Sequence, residues 1–236
     1  MLRVLMYAII VLYSSEARAQ SALCATYKVE RQLEIVNPLN NAKSTLTLQY
    51  TATLVLRGAT SLYFQQPAYL QDYPNGVITI GSSAEGNATY SVPTSSRQDF
   101  DYHNFDSLIW RQRRDIAAGS ALNLYYFFEP GFQTWEYLPE TREEGGLQLQ
   151  KAIWRNSKGI LQYEVWFCPD IPAKAGPSGI VGLPGLVVEA FMAPLNKTMK
   201  LESYQLDCTI ANDTFWPVEF YEPFQFKGQI RKFLKQ

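Results

Sequence analysis

From residue 45 to residue 56 the chain alternates between apolar and polar positions. Leu46, Leu48, Tyr50, Ala52, Leu54 and Leu56 fall on one side, and Thr45, Thr47, Gln49, Thr51 and Thr53 on the other. A period of two marks a half-buried β-strand, sustained here over an unusual length. Gly58 interrupts it, and residues 61–65 resume as a strand. The pattern weakens between 66 and 106, where Tyr73-Pro74-Asn75-Gly76 is a turn and residues 81–86 a polar loop. Short strands are expected there at 77–80 and 89–92. Residues 108–111 and 122–128 continue the β signal, and Glu129-Pro130-Gly131 breaks it before 135–138. The clearest hairpin follows, with arms 147–154 and 160–167 around Asn156-Ser157-Lys158-Gly159. On its second arm Leu161, Tyr163, Val165 and Phe167 face one way, and Gln162, Glu164 and Trp166 the other. Three more strands are expected at 186–192, 199–210 and 215–221. Helix signals are nearly absent, because residues 96–104 and 111–118 are polar and lack a firm apolar stripe.

About ten strands in one domain, joined as a meander, do not remain a flat open sheet. The sequence therefore predicts an all-β fold: a single domain built on a strongly curved antiparallel sheet, an incomplete β-barrel. A β-sandwich is the alternative. Tyr125, Phe127, Trp154, Tyr163 and Trp166 are the aromatic residues expected inside, as core or as the wall of a cavity.

The first residues belong to a different regime. Met1-Leu2-Arg3 is a short basic start, residues 4–13 are an apolar run, and Ala17-Arg18-Ala19 presents small residues at signal-peptidase spacing. Residues 1–19 read as a secretory signal peptide cut before Gln20, too short for a permanent span. Residues 20–236 are then one β-rich domain. Leu23 precedes Cys24, where lipoprotein processing needs a small residue, so no lipid anchor is expected. No other run approaches membrane-spanning length. A formal charge of −1 and 14% aromatic content argue against nucleic-acid partners and against disorder.

Export places Cys24, Cys168 and Cys208 in an oxidising compartment, where one pair is expected to bridge and one thiol to remain. The sequence does not choose the pair. Cys168 and Cys208 are the first expectation, since each sits in a predicted strand. His103 is the sole histidine, within the polar segment 99–106, and reads as a surface residue.

The segment 166–190 is the longest stretch without regular pattern. Ile171, Ile180, Val181, Leu183 and Leu186 make it too apolar to wave in water. Pro184 holds Leu183 extended. Gly185 then falls where a type II turn needs positive φ, so Leu183-Pro184-Gly185-Leu186 is expected to be such a turn with both leucines buried. Trp166, Asp170, Ile171, Pro172, Gly176 and Pro177 are the candidate binding residues, and 170–178 is expected to be the exposed, contact-making half.

These residues also carry a resemblance. Gly182-Leu183-Pro184-Gly185-Leu186-Val187, preceded by Trp166-Phe167, Pro169-Asp170-Ile171-Pro172 and Gly176-Pro177, resembles the signature of the GLPGLI family. Val187 stands where that motif has Ile, and Cys168 where Thr is usual. Residues 146–152 resemble its Gly-Tyr-x-Cys-x-Lys-Ala segment, with Leu149 in place of Cys. Tyr27 and Ser61-Leu62-Tyr63-Phe64 are weaker echoes. The resemblance implies a protein of the Bacteroidota-type cell envelope without an established activity, in the setting of outer-membrane β-barrel partners.

No G-x-S-x-G, H-E-x-x-H or C-x-x-C motif is present, and one histidine supplies neither a His-based zinc site nor a Ser/His triad. No catalytic residue, metal or cofactor is implied. Glu164, Asp170 and Glu189 flank the loop as carboxylates of the kind glycoside chemistry uses. Glu140, Glu143 and Glu144 beside Arg142 read as a solvated charge run, and Lys227, Arg231, Lys232 and Lys235 as a basic end. The leading expectation is a non-enzymatic accessory for binding or assembly, periplasmic or outer-membrane associated. The alternatives are a carrier of an apolar or peptide ligand in the barrel interior and a carboxylate-based hydrolase.

Overall fold

The computed structural model describes residues 22–37, 41–80, 88–95, 99–117, 120–210, 212–215 and 225–230. The expected leader and its cleavage point lie outside these residues, as do 216–221 of the expected last strand and the basic end from Arg231 onward. The strands in chain order begin with β1 (Ala22–Val36), β2 (Lys43–Arg57), β3 (Thr60–Pro67), β4 (Val77–Ile80) and β5 (Ala88–Ser91). Next come β6 (Phe100–Asn104), β7 (Ile109–Ala117), β8 (Ser120–Phe128), β9 (Glu136–Glu144) and β10 (Leu147–Arg155). The last four are β11 (Leu161–Cys168), β12 (Leu186–Met192), β13 (Lys197–Cys208) and β14 (Gln225–Ile230). Single turns of 3-10 helix are the only helical elements among the described residues.

Twelve strands form one sheet in the order β14-β8-β7-β6-β3-β2-β1-β13-β12-β11-β10-β9, and β4-β5 is a separate hairpin. The sheet is antiparallel except where β14 runs parallel to β8. It is not closed into a barrel. It is also not the expected meander, since β1 lies between β2 and β13, and β6 pairs with β3 across the β4-β5 excursion.

Alternation builds the core as expected. In β2, Leu48, Tyr50, Ala52 and Leu54 are buried, while Thr47, Gln49 and Thr51 are exposed. They pack with Tyr27 and Val29 of β1, and with Val165, Phe167 and Leu186. Both helical candidates are strands instead: β6 occupies the described end of 96–104, and β7 occupies 111–117. Their inward residues are polar, with Asp101, His103 and Gln112 all buried. A strand whose core face is polar hides its period from any hydrophobic pattern.

The sheet curls tightly. At ~4.8 Å per strand, β7 and β11 would stand about 33 Å apart in a flat sheet. Yet the Ser178 carbonyl accepts a 2.7 Å hydrogen bond from Tyr163 of β11. A Cβ on the next residue, Gly179, would stand 3.1 Å from the Trp110 ring of β7. One short stretch of chain therefore touches both strands, and the inner face wraps around it.

The disulfide joins Cys24 to Cys208, not Cys168 to Cys208. β1 and β13 are neighbours with Ala22 opposite Cys208, and the two cysteine Cα atoms are 6.1 Å apart. Cys168 ends β11, with β12 between it and β13, and its buried thiol is free. Register decides the pair, and register was not in the sequence. Peptide mapping without reductant should recover Cys24 linked to Cys208, with Cys168 alkylated only after unfolding. Because the bridge closes a loop of 184 residues, replacing both its cysteines by Ala should cost about 2–4 kcal/mol in urea melts. Equal stability of the double variant and the wild type would contradict this.

Candidate functional site

The segment 169–185, between β11 and β12, lies on the inner face of the sheet. Residues 175–181 and 183 are buried apart from Gly182 at the rim. A buried loop has no ladder for its amides and carbonyls, so other groups must satisfy them. The loop supplies part itself: Gly176 donates to the Ile180 carbonyl at 2.7 Å, and Ala175 bridges Val181. Side chains of the scaffold supply the rest. The Gln133 amide donates to the Gly179 carbonyl at 2.9 Å and accepts from the Val181 amide at 2.8 Å. Trp135 Nε1 donates to the Val181 carbonyl at 2.8 Å. Tyr163 holds the Ser178 carbonyl, and Lys197 Nζ donates to Ser178 Oγ at 3.0 Å. Tyr27 donates to the Val187 carbonyl at 2.8 Å, at the start of β12.

The tip turns through left-handed backbone, with φ of 57° at Ser178, 80° at Gly179 and 81° at Gly182. Gly185 is absent from the positive-φ glycines, so the expected type II turn does not form there. Its requirement is space. A Cβ on Gly185 would stand 2.6 Å from the Cys168 carbonyl carbon and 2.8 Å from Pro169 Cα. Gly176 is also close-packed, 2.6 Å from a Val187 methyl, but against a side chain rather than backbone. Leu183 and Leu186 are buried as expected, as is Val187, whereas Pro184 is exposed.

The candidate binding residues do not form one surface. Ile171, Gly176 and Pro177 are buried beneath the loop, which corrects the reading of 170–178 as its exposed half. Alternation had no hold on a segment without periodicity, and burial here follows the fold-back onto the sheet. Asp170 and Pro172 are exposed. Trp166 alternates with the inward Val165 and Phe167 and so lies on the outer face. There the Arg142 guanidinium sits 4.4 Å above its ring.

The carboxylates of a hydrolase are also on that outer face. Glu189 pairs with Arg142 at 2.6 Å, and Glu164 with Lys151 at 2.8 Å. Each has a cationic partner and neither faces the other. Arg142 is thus not part of a freely solvated run, since it also pairs with Glu144 at 2.7 Å.

Two buried polar groups under the loop escaped the sequence reading. His103 is 1% exposed, not a surface residue. It is stacked between Phe105 and Trp110, with Nδ1 3.2 Å from Ser61 Oγ. Burial lowers its imidazole to about 4, against the opposing pull of Asp101, so it is neutral. Its neighbour Asp101 accepts from Arg114 at 2.7 Å and from Trp110 Nε1 at 2.9 Å. Although Ser61 and His103 touch, both are 1% exposed among aromatic rings, which makes this a packed pair rather than a nucleophile and base.

The second is Lys197, also 1% exposed. Besides Ser178 it donates to Gln65 Oε1 at 2.8 Å. Gln65 in turn accepts from Tyr63 at 3.3 Å and donates to Asp99 at 3.4 Å. A cavity of about 130 Å3 opens beside it, with Arg31, Tyr50, Gln65, Asp99 and Lys197 as its polar lining and Leu33, Leu48, Val92 and Leu195 among its apolar wall. The alternation of β13 carried the signal. Lys197 falls in phase with the inward Met199, while Thr198 and Lys200 face outward.

Residues 135–189 match the model of a family described as a protein of unknown function (Porph_ging). The match runs from Trp135 through β9, β10, β11 and the loop into β12. Among solved structures the chain is similar to PNGF-II, with a TM-score of 0.49 and 14% identity over 89% of this chain. It spans 32% of that chain, about a third of its length. A DUF1329 family protein from Desulfovibrio piger aligns at a TM-score of 0.23 and 7% identity, over 84% of this chain and 90% of that one. No curated protein matches.

Space at Gly185 and φ at Gly182 predict different costs. Gly185→Ala should lose ~2–4 kcal/mol, because backbone on the far side does not yield. Gly182→Ala should lose about 1–2 kcal/mol from left-handed strain alone. Thermal melts that rank Gly182→Ala as the worse variant would refute the close-approach account.

His103 sets an acid limb. Its folded value lies below the unfolded 6.5, so the unfolded state takes up a proton first as pH falls. Stability present above pH 6.5 is then lost towards pH 4, by roughly 3 kcal/mol at most. Urea melts of wild type and His103→Phe at neutral and acid pH should show that loss in wild type alone. The same acid loss in both would rule it out.

Proposed function

We propose that the mature chain is a non-enzymatic accessory of the cell envelope that binds a partner through an open strand edge. In this reading the chain is exported without a lipid anchor, is periplasmic or outer-membrane associated, and serves a β-barrel partner of the outer membrane. The leader-like start and the GLPGLI-like loop support that setting. Among the described residues no helix is long and apolar enough to cross a membrane.

One observation carries the binding role. β13 pairs with β12 only over Lys197–Lys200, while its pairing with β1 continues to Cys208. Among the described residues, 201 and 203–205 therefore pair with β1 alone, with register shifts at 202 and between 205 and 208. Tyr204 and Leu206 on this stretch are 39% and 55% exposed. An edge of this kind accepts an added strand. The sheet's terminal strand β9 is an edge too, but it is guarded. Pro139 and the charges Glu136, Glu140, Glu143 and Glu144 make it a poor template.

The carrier reading has less support. The inner face is occupied by the chain's own loop, and the cavity beside Lys197 is small and largely polar where an apolar ligand needs several hundred Å3. The hydrolase reading lacks a carboxylate pair in a cleft among the described residues. A photo-crosslinking residue at Tyr204, in whole envelopes, should capture a heat-modifiable outer-membrane β-barrel protein, and the same residue at Tyr137 on β9 should not. Capture of no such protein from Tyr204, or equal capture from both positions, would overturn the reading.

A further inference from the structure

The cavity beside Lys197 presents a charge that no carboxylate among the described residues pairs with. Lysine is almost never fully buried unless it is paired. Among the described residues no carboxylate lies within ion-pair distance of Lys197. Its acceptors are the neutral Gln65 amide oxygen and Ser178 hydroxyl, and an ammonium has three donors for these two acceptors. Arg31 of β1 lines the same cavity, and its buried Nε has no acceptor among the described residues. Against these two cations the described lining holds one carboxylate, Asp99, so among the described residues one positive charge is in surplus.

We propose that this cavity is a binding site for a small organic carboxylate, its anionic head between Lys197 and Arg31 and its apolar remainder against Leu33 and Leu48. Each element of the lining selects part of that ligand. A single surplus charge matches a monoanion, whereas a phosphate dianion would overshoot it. The planar guanidinium of Arg31 suits a planar carboxylate, and charge-assisted bonds are the strong ones in a site shielded from water. Tyr50 lies beside Arg31 in the same wall. A volume of about 130 Å3 admits a molecule of a few heavy atoms. Burial lowers the Lys197 ammonium to about 8, against the pull of Asp99, so the charge is still present at neutral pH. The head group has two sources, a free short-chain acid or the C-terminus of a peptide. This site is independent of the strand edge on β13, and either reading survives failure of the other.

Calorimetric titration of the mature chain tests it, with butyrate and butyramide as one pair of probes. Ala-Ala and its C-terminal amide are the second pair. Butyrate should bind and raise the melting temperature, and butyramide should not. Binding of Ala-Ala but not of its amide, with butyrate silent, would assign the head group to a peptide terminus within the same carboxylate site. Lys197→Met replaces the ammonium by an apolar group of similar length and should weaken binding about tenfold or more. Arg31→Gln, which leaves every bond to the loop in place, should do the same and serves if Lys197→Met does not fold. Equal binding of acids and amides, no binding of either acid, or full affinity in a folded Lys197→Met or Arg31→Gln variant would overturn the proposal.

Discussion

A backbone amide or carbonyl buried without a hydrogen bond costs ~1–3 kcal/mol, and this fold buries a run of them that belongs to no strand. The segment 169–185 lies where a sandwich would place a second sheet. It has no ladder to answer it. The polar groups that answer instead come from Gln133, Trp135 and Tyr163, side chains long enough to reach from the scaffold to the Ser178, Gly179 and Val181 backbone, while Lys197 holds the Ser178 hydroxyl. Without the loop, Gln133, Trp135 and Tyr163 lose the carbonyls they donate to, and Lys197 keeps only Gln65. Remove any one of them and the loop loses a partner it cannot replace with water. Loop and sheet therefore specify each other, and the curl of the sheet follows from wrapping both β7 and β11 onto one tip.

The same constraint explains why the inner face is polar in places where an ordinary β core is not. Asp101, His103 and Gln112 point inward from β6 and β7, and Lys197 from β13. Asp101 draws Arg114 and the Trp110 indole into fixed positions, and Trp110 then forms the wall that Gly179 touches. Gly179 fits there because it has no side chain and accepts φ of 80°. Polar and aromatic residues here serve as one surface shaped to the loop.

This is where the sequence was readable and where it was not. The strands whose inward residues are apolar, β2 and the β10–β11 hairpin above all, showed their period plainly. β6 and β7 did not, because Asp101, His103 and Gln112 put polar side chains on their inward face beside Trp110. Lys197 and His103 were hidden for the same reason, each in phase with a core face but of the wrong chemistry to be counted. In the loop, the buried Leu183 and Leu186 were legible from hydrophobicity, yet the cause of Gly185 was not. A glycine demanded by φ and one demanded by a neighbouring carbonyl look alike in a sequence, and the distinction needed Cys168 to be placed beside it. Pairing of Cys24 with Cys208 likewise rests on β1 lying next to β13, an order that a meander of local hairpins does not contain.

The filled inner face and the open edge have a common origin. Where β12 leaves the loop, Leu186, Val187 and Val188 are drawn into the core; Leu186 and Val187 pair with β11 and Val188 falls at a register shift, while pairing with β13 begins only at Glu189. The Val187 carbonyl accepts from the Tyr27 hydroxyl. Tyr27 is wholly buried on β1, the strand beyond β13, and reaches across to cap the strand that has pulled away. One side chain thus satisfies the carbonyl on the β12 side of the split, where no solvent reaches. The β13 side is left to water at residues 201–206, which remain exposed apart from the half-buried Leu201. Anchoring of β13 to β1 by the Cys24–Cys208 bridge keeps that side extended although it has lost one neighbour. The loop that closes the inner face thereby opens the sheet between β12 and β13.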